Sequence, residues 1–279
     1  MTSLAVIIIS WNTRELLRDC LASLRAAGDV PRVIVVDNAS SDGSADMVRA
    51  GFPDISVIEP GANLGFVKAN NLALRQLLDA PDAPDFVWLL NSDTRVHADA
   101  IARLLALMVQ HPRCGLVGPK LENADGSLQH GAFALPGLTQ LAIDVIPRLQ
   151  ARFRDTRWDG RYPQAAYAGG PFRIGHPLGA AMLARVSAVR AVGLLDEGFE
   201  MYSEEIDWAK RMQDAGWEIW CEPRAVVTHY GGASSSQAPE RTERLKWRSR
   251  QRYFDKHYAP PKRALARLLV PARFRNGAN

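Results

Sequence analysis

Cysteine is scarce in this chain: Cys20, Cys114 and Cys221 stand far apart among 279 residues. An odd, scattered set offers neither a disulfide framework nor a metal-ligand spacing, so the thiols are expected to pack in a core. Long apolar runs are absent as well. Nothing approaches the roughly 20 residues of a membrane-spanning helix, and the opening MTSLAVIIISWN has no basic leader and no small-residue cleavage site. LAVIII therefore reads as a first core strand, and a cytoplasmic location is expected. Two phosphate-binding signatures are also missing. SWNTRE follows the first strand where a dinucleotide enzyme would carry G-x-G-x-x-G, and G-x-x-x-x-G-K-[ST] occurs nowhere, which argues against a dinucleotide enzyme and a P-loop enzyme.

What is present is a hydrophobic content of 47%, ample for the core of one large α/β domain or two small ones. Charge is divided unevenly. Residues 240–279 hold 12 of the 34 Lys and Arg but 3 of the 30 Asp and Glu, leaving the tail at +9 and the rest at −5. A basic tail on an acidic body points to an anionic partner, a membrane surface or a nucleic acid.

Strand-like runs alternate with helical periodicity through the first half: AVIII (5–9), VIVV (33–36), ISVI (55–58) and FVWLL (86–90). That alternation predicts a mostly parallel sheet with crossover helices. Helices are expected from about Thr13, from Val67 to Leu78 and from Ala98 to Val109, the first with Asn12 and Glu15 as a capping box. Residues 123–175 break the rhythm and read as an insertion. Regular patterning returns with GAAMLARVSAVRAVG, a helix from about Glu204 to Ala215, and two strands, EIWC and AVVTH.

In a parallel sheet, ligands bind at the carboxyl ends of the strands. Here those ends carry Ser10, Trp11 and Asn12, then Asp37, Asn38 and Ser40, then Asn63 and Gly65, then Asn91, Ser92 and Asp93. Asp, Asn, Ser and Gly are also the ordinary residues of turns and caps, so any one group reads equally as a loop. Their recurrence at four successive strand ends predicts one polar rim facing one cleft. With no phosphate loop present, a divalent cation can meet phosphate charge instead, Asp93 offering a hard oxygen ligand and Asn91 orienting the site or a sugar.

VIIISWNTRELLRDCLASL, VIVVDNASSDGS, NLGFVKANNLAL and FVWLLNSDTRV resemble the nucleotide-sugar half of glycosyltransferase family 2 enzymes. GLLDEGFEMYSEEIDWAKRMQDAGWEIWCEPRAVVTHYGG resembles their acceptor half, and the likeness is nearest to the rhamnosyltransferase-like branch. It spans residues 4 to about 235 and leaves 123–175 and the tail unmatched.

The resemblance implies a GT-A fold, in which a Rossmann-like, mostly parallel sheet is flanked by helices. It implies a glycosyltransferase domain over 1–235, divided into a nucleotide-sugar half (1–122), the insertion and an acceptor half (176–235); charge and patterning, not the resemblance, add a basic helical tail over 236–279. It further implies a nucleoside-diphosphate sugar donor, dTDP- or UDP-linked with rhamnose leading, a divalent metal (Mn2+ or Mg2+) and inversion at the anomeric carbon. On the donor side it places Ser10, Trp11, Asn12, Asp37, Asn38, Ser40, Asn63, Gly65 and Asn70, with Asp37 at the base. Asn91, Ser92 and Asp93 fall on the family's D-x-D position, where Asn91 replaces the first acid and Asp93 carries the metal.

Transfer requires a carboxylate within reach of the acceptor hydroxyl. YSEEIDW offers three acids, which also suit a helix start. The family pattern puts the general base on Glu205, so the catalytic roles fall to Glu205 and Asp93. Glu204, Asp207, Arg211 and Gly179 are assigned to the acceptor side. His229, ending AVVTH, is either a structural histidine or a metal ligand opposite Asp93.

In the tail, KRALARLLVPARF sets Leu265, Leu268 and Leu269 among arginines. It reads either as an amphipathic segment at the inner face of a membrane or as a helix docked on the domain. No nucleic-acid module accompanies the charge. The expected acceptor is a saccharide or lipid-linked saccharide in envelope polysaccharide synthesis. A sugar nucleotidyltransferase and a non-catalytic nucleotide-sugar-binding protein are the alternatives; the former would carry a Gly-rich basic loop after the first strand, which SWNTRE is not.

Overall fold

The first apolar run forms β1 (Leu4–Ser10), an inner strand buried on both faces, as a continuous run of branched residues dictates. A computed structural model of the chain describes residues 2–28, 32–154, 156–231 and 239–271. After β1 come α1 (Arg14–Ala27), β2 (Arg32–Asp37), α2 (Ser44–Gly51), β3 (Ser56–Ile58), α3 (Gly65–Asp79) and β4 (Phe86–Asn91). Then follow β5 (Thr94–Val96), α4 (Ala100–Gln110) and β6 (Cys114–Glu122). The insertion is built as β7 (Leu128–Gln129), β8 (Ala132–Phe133), α5 (Leu138–Val145), α6 (Pro147–Phe153), two short 3-10 turns and β9 (Phe172–Arg173). The remainder is β10 (His176–Pro177), β11 (Ala181–Arg185), α7 (Val186–Val192), α8 (Glu204–Asp214), β12 (Glu218–His229), α9 (Pro239–His257) and α10 (Pro260–Leu269).

The main sheet runs β3-β2-β1-β4-β11-β6-β12-β5, with β7 added to β6 and β9 to β12. Strands β3, β2, β1 and β4 are parallel. β11 is antiparallel to both β4 and β6, and β12 is parallel to β6. Two reversals restore direction, so β12 ends on the same rim as β1, β2 and β4. EIWC and AVVTH, expected as two strands, are one, with a register shift between Glu222 and Val226. That irregularity lets a single strand cross the sheet and finish at the rim.

Helices cover both faces. Leu17, Leu21 and Leu24 of α1, with Leu104 and Met108 of α4, pack on Val6, Ile8, Trp88 and Leu90. Val67 and Leu74 of α3, with Trp208 and Met212 of α8, pack on Ile7, Val36, Leu89 and Met182. The alternation of sides follows from the two-residue period of the strands. All three cysteines are free and buried, as their scarcity suggested.

A third apolar cluster, Leu141, Phe199, Ile206, Trp247, Tyr253, Phe254, Ala266 and Val270, fastens α9 and α10 to α5 and to the start of α8. The tail is thus docked, and its leucines divide: Leu269 packs on this cluster while Leu265 and Leu268 face out. Among the described residues no helix is long and apolar enough to cross a membrane.

The expected capping box is not formed. Thr13 is the N-cap of α1 and makes no side-chain capping bond. Instead Asp42 accepts from the Arg14 N–H at 2.8 Å, while Asn12 accepts from Ser41 N at 2.8 Å. The polar loop after β2 therefore caps α1 across space, which a reading of local spacing does not detect.

Candidate active site

Each strand end places its polar residues on the shared rim, and many of them are bonded to each other. Ser10, Thr13 and Ser92 form a buried hydroxyl chain, 3.0 Å from Ser10 to Thr13 and 2.8 Å from Thr13 to Ser92, tying the end of β1 to the end of β4. Asn12, at φ 52°, receives Ser40 at its backbone N–H, the hydroxyl oxygen accepting at 2.9 Å. Ser10, Ser92, Asn12 and Ser40 thus shape the rim. Trp11, next to them, is partly buried.

At the end of β2, Asp37 is buried; its Oδ2 accepts from Ser40 N at 3.1 Å and its Oδ1 has no partner. Asn38, also buried, accepts from Leu64 N at 2.9 Å and so pins the loop before α3. Asn63 accepts from Gly65 N at 2.9 Å, and Gly65 takes φ +74°, where any side chain would be strained. Asn70 turns inward instead, donating to Phe66 O of its own helix at 2.9 Å.

At the end of β4, Asn91 N donates to Ala180 O at 2.9 Å, bringing the start of β11 alongside. Two residues on, Asp93 is buried, and its Oδ1 lies 3.4 Å from Nε2 of His229. Register explains the meeting: β5 leaves the rim antiparallel to β12, pairing Thr94 with His229, and Asp93 O accepts from Tyr230 N at 3.0 Å. The other ring nitrogen, Nδ1, lies 2.7 Å from Gln129 Oε1. The Gln129 amide nitrogen is committed to Asn123 Oδ1 at 2.9 Å and His229 O at 3.2 Å, so its oxygen faces the ring and Nδ1 is the donor. That leaves Nε2 directed at a carboxylate, a pair of donor atoms that could hold a cation.

Gln129 lies in residues 123–175, the segment read from the sequence as an insertion. No spacing or composition signal singles it out, because only the pairing of β7 with β6 carries it to His229.

Across the cleft, α8 opens with Glu204 and Glu205, both buried, and one oxygen of each has no partner. Gly179 sits against Glu205: a Cβ on that glycine would meet Glu205 Cβ at 3.8 Å. Gly179 directly precedes Ala180, whose carbonyl accepts from Asn91 N, so the segment against Glu205 also borders the Asn91–Asp93 turn. Burial raises the Glu205 carboxyl to about 7, with the positive charge of Arg250 among the opposing influences. Burial, together with the neighbouring Glu205 charge, lifts Glu204 well above the carboxylate range. A buried acid poised near neutrality is suited to accept a proton.

The loop that delivers these acids is strained, with Tyr202 and Ser203 at φ 66° and 65°. Helix α9 holds it in place. Ser249 Oγ donates to Met201 O at 2.7 Å, Arg248 pairs with Glu200 at 3.2 Å, and Arg252 and Lys256 pair with Asp196 at 3.0 and 2.6 Å.

Asp207 and Arg211, read from the sequence as acceptor residues, are engaged with this support. Fully buried Asp207 accepts from Arg211 Nε at 2.8 Å and meets His257 Nε2 at 2.7 Å and Lys256 Nζ at 2.8 Å. Arg211 also donates to Val192 O and Leu194 O, at 2.6 and 2.7 Å. These partners hold Asp207 below the usual carboxylate range, at about 2, against the opposing effect of burial.

Comparison with known proteins gives a consistent result. The sequence pattern of "Glycosyl transferase family 2" matches residues 5–176, which takes in 123–175, the segment expected to fall outside the likeness. The chain is 30% identical, over 85% of its length and 78% of the relative's, to an N-acetylglucosaminyl-diphospho-decaprenol L-rhamnosyltransferase of Mycobacterium tuberculosis. Among solved structures it is similar to a mannosyltransferase of Pyrobaculum calidifontis in complex with GDP-Man and Mn2+. That likeness has a TM-score of 0.61 and 18% identity and covers 96% of this chain and 72% of the other. It is similar also to GalNAc-T7 with UDP, GalNAc and Mn2+, with a TM-score of 0.62 and 13% identity. There the match covers 96% of this chain but only 54% of the other, so the likeness is one of fold, the GT-A arrangement of a mostly parallel sheet between helices. With the motif order, the rim geometry and these matches in agreement, the chain belongs to glycosyltransferase family 2, within its rhamnosyltransferase-like members.

Proposed function

We propose that this protein is a metal-assisted inverting glycosyltransferase that moves a sugar from a nucleoside-diphosphate donor to a hydroxyl of a saccharide or lipid-linked acceptor. One observation carries the reading: Glu205, buried with an unpartnered carboxyl oxygen, packs against Gly179, whose chain neighbour Ala180 accepts from the Asn91 N–H two residues before Asp93. The rhamnosyltransferase relative supports rhamnose as the sugar and a lipid-linked diphosphate saccharide as the acceptor; polysaccharide synthesis at the inner face of a membrane is the setting this reading proposes. The base is expected to be uracil or thymine, read by Asp37, whose unpartnered Oδ1 would accept from a ring N–H.

The pair at the rim fits a divalent cation. Carboxylate and imidazole are both ordinary ligands of manganese-like ions, and ligands about 2.1 Å from an ion at adjacent octahedral positions stand roughly 3 Å apart. Among the described residues no group of three His, Cys, Asp or Glu is available, so donor oxygens and water would complete the shell. A cation bound there would offset the charge that develops on the departing diphosphate.

The chain's own part is to hold and deprotonate. Glu205 takes the proton of the acceptor hydroxyl as its oxygen bonds to the anomeric carbon from the face opposite the diphosphate. The bond from that carbon to the diphosphate oxygen breaks, and the nucleoside diphosphate leaves with the electron pair. Asn91 replaces the first acid of the D-x-D position, reducing negative charge beside the donor diphosphate and leaving Asp93 as the rim's carboxylate toward the ion.

The test is release of nucleoside diphosphate from dTDP-rhamnose, with manganese and a lipid-linked N-acetylglucosamine acceptor, by wild type and Glu205→Gln. Donor binding kept and turnover lost in the variant supports the assignment. Equal turnover in both removes Glu205 from the mechanism.

A further inference from the structure

The described surface exposes six large apolar side chains, and four of them cluster in the insertion and the last helix: Ile146 at 38%, Trp158 at 48%, Leu265 at 46% and Leu268 at 65%. Single exposed apolar residues are ordinary, but a concentration of them marks a contact surface. The helices bearing Ile146, Leu265 and Leu268 are joined through the core beneath, and the turn at Trp158 packs against α5 and α6. α5 packs against α10 by way of Leu141, Val145, Ala266 and Val270, and Ile146 opens α6 immediately after α5.

The charge on these two helices is of one sign. α6 carries Arg148 and Arg152, with Arg154 just beyond it; α10 carries Lys262, Arg263 and Arg267; neither helix holds an acid. Within α10 the division is sharp, since Ala266 is buried on the inner side while Leu265 and Leu268 point outward among the cations. Aliphatic side chains between cations suit an acyl boundary beneath anionic headgroups, a combination that neither a soluble anion nor a phosphate strand requires.

We infer that α6, the Trp158 turn and α10 together form a docking face for an anionic lipid bilayer, so that the insertion and the tail, not the tail alone, hold the protein at the membrane. Position adds a functional consequence, which rests on the proposed reading of Glu205. Arg250 of α9 pairs with Asp144 of α5 at 3.3 Å, and its charge also acts on Glu205. α5, against which α6 and α10 pack, is thereby tied to the surroundings of Glu205, and a bilayer on that face would bring a lipid-anchored hydroxyl toward the base.

The experiment is flotation of the full chain with vesicles of phosphatidylcholine alone or with about one-third phosphatidylglycerol. No donor or acceptor is present, so the outcome is independent of whether the protein is a transferase. Binding to the anionic vesicles alone, weakening as salt rises, is expected. Leu265→Ser with Leu268→Ser, and separately Arg152→Glu with Lys262→Glu, should each weaken partition about tenfold or more. Both double variants should keep wild-type turnover on a water-soluble acceptor, which shows that they fold. Equal partition onto neutral vesicles, unaltered binding by either double variant, or a dimer in lipid-free solution abolished by the leucine changes would overturn the inference.

Discussion

Nε2 of His229 stands 3.4 Å from Oδ1 of Asp93 while Gln129 grips the opposite ring nitrogen at 2.7 Å. The three residues come from β12, the turn after β4 and the insertion, and only the sheet brings them together. Because Gln129 fixes the tautomer, its effect on the ion should be separable from that of the ligands themselves. Asp93→Asn and His229→Gln should each lower turnover and raise the manganese concentration for half-maximal activity. Gln129→Leu should raise that concentration by about 10- to 100-fold with smaller loss at saturating metal. A metal titration of the three variants checks this, and an unchanged manganese requirement in Asp93→Asn would refute the metal assignment.

Glu205 should set the acid side of the pH profile. Its carboxyl is raised to about 7 by burial, and only the ionised form accepts a proton, so activity should climb as pH passes through that value. Arg250 pulls in the opposite direction. Arg250→Gln should displace the acid limb to higher pH by up to about one unit while leaving the plateau within a fewfold of wild type. Glu205→Gln should lose about 10²- to 10⁴-fold in kcat across the whole range. The measurement is kcat against pH for the three proteins.

Stability should follow the same group with the sign of a buried acid. A carboxyl whose folded value is raised binds its proton more tightly in the native state. Its contribution is full below the ordinary value of 4.5 and lost as pH rises through about 7. Glu205→Gln mimics the protonated form at every pH. Urea titration should therefore find the variant near wild type at acid pH and more stable above neutrality, by on the order of 1–3 kcal/mol. A variant less stable than wild type at pH above 7 would show that the carboxylate is compensated in a way the geometry does not reveal.

Much of the fold was legible because it is written locally. The strands β1, β2 and β4 and the helices α1, α3, α4 and α8 follow from apolar periodicity, and the rim follows from what ends each strand. What escaped depends on contacts remote in sequence. The cap on α1 comes from Asp42, 28 residues away; Gln129 reaches His229 across 100 residues; and Asp207 meets His257 across 50. The tail was legible as basic and helical. Its docking was one of two open readings, and the choice was not legible, since the apolar residues that anchor it, Trp247, Tyr253, Phe254, Ala266 and Val270, are spread along the tail and find their partners on α5 and the loop before α8.

That docking leads to a prediction about Asp207. It is fully buried, with Arg211, Lys256 and His257 converging on its two oxygens, so it joins the helix that carries Glu205 to the helix that supports the strained loop before it. Removing one member of a buried charge cluster typically costs about 3–5 kcal/mol, because the others are left without compensation. Lys256 is partly exposed, which places the expected loss for Asp207→Asn at or just below the bottom of that range, about 2–3 kcal/mol. The carboxyl is depressed to about 2, so its contribution is present above the ordinary value of 3.8 and disappears as pH falls through the depressed one. Urea titrations at neutral pH should show the full difference between wild type and variant, and titrations near pH 2 a much smaller one. Near-neutral pH should also reveal kcat falling more than the donor KM rises, because the donor rim is built from other strands. A loss confined to donor affinity would place Asp207 at the donor instead of beneath the base.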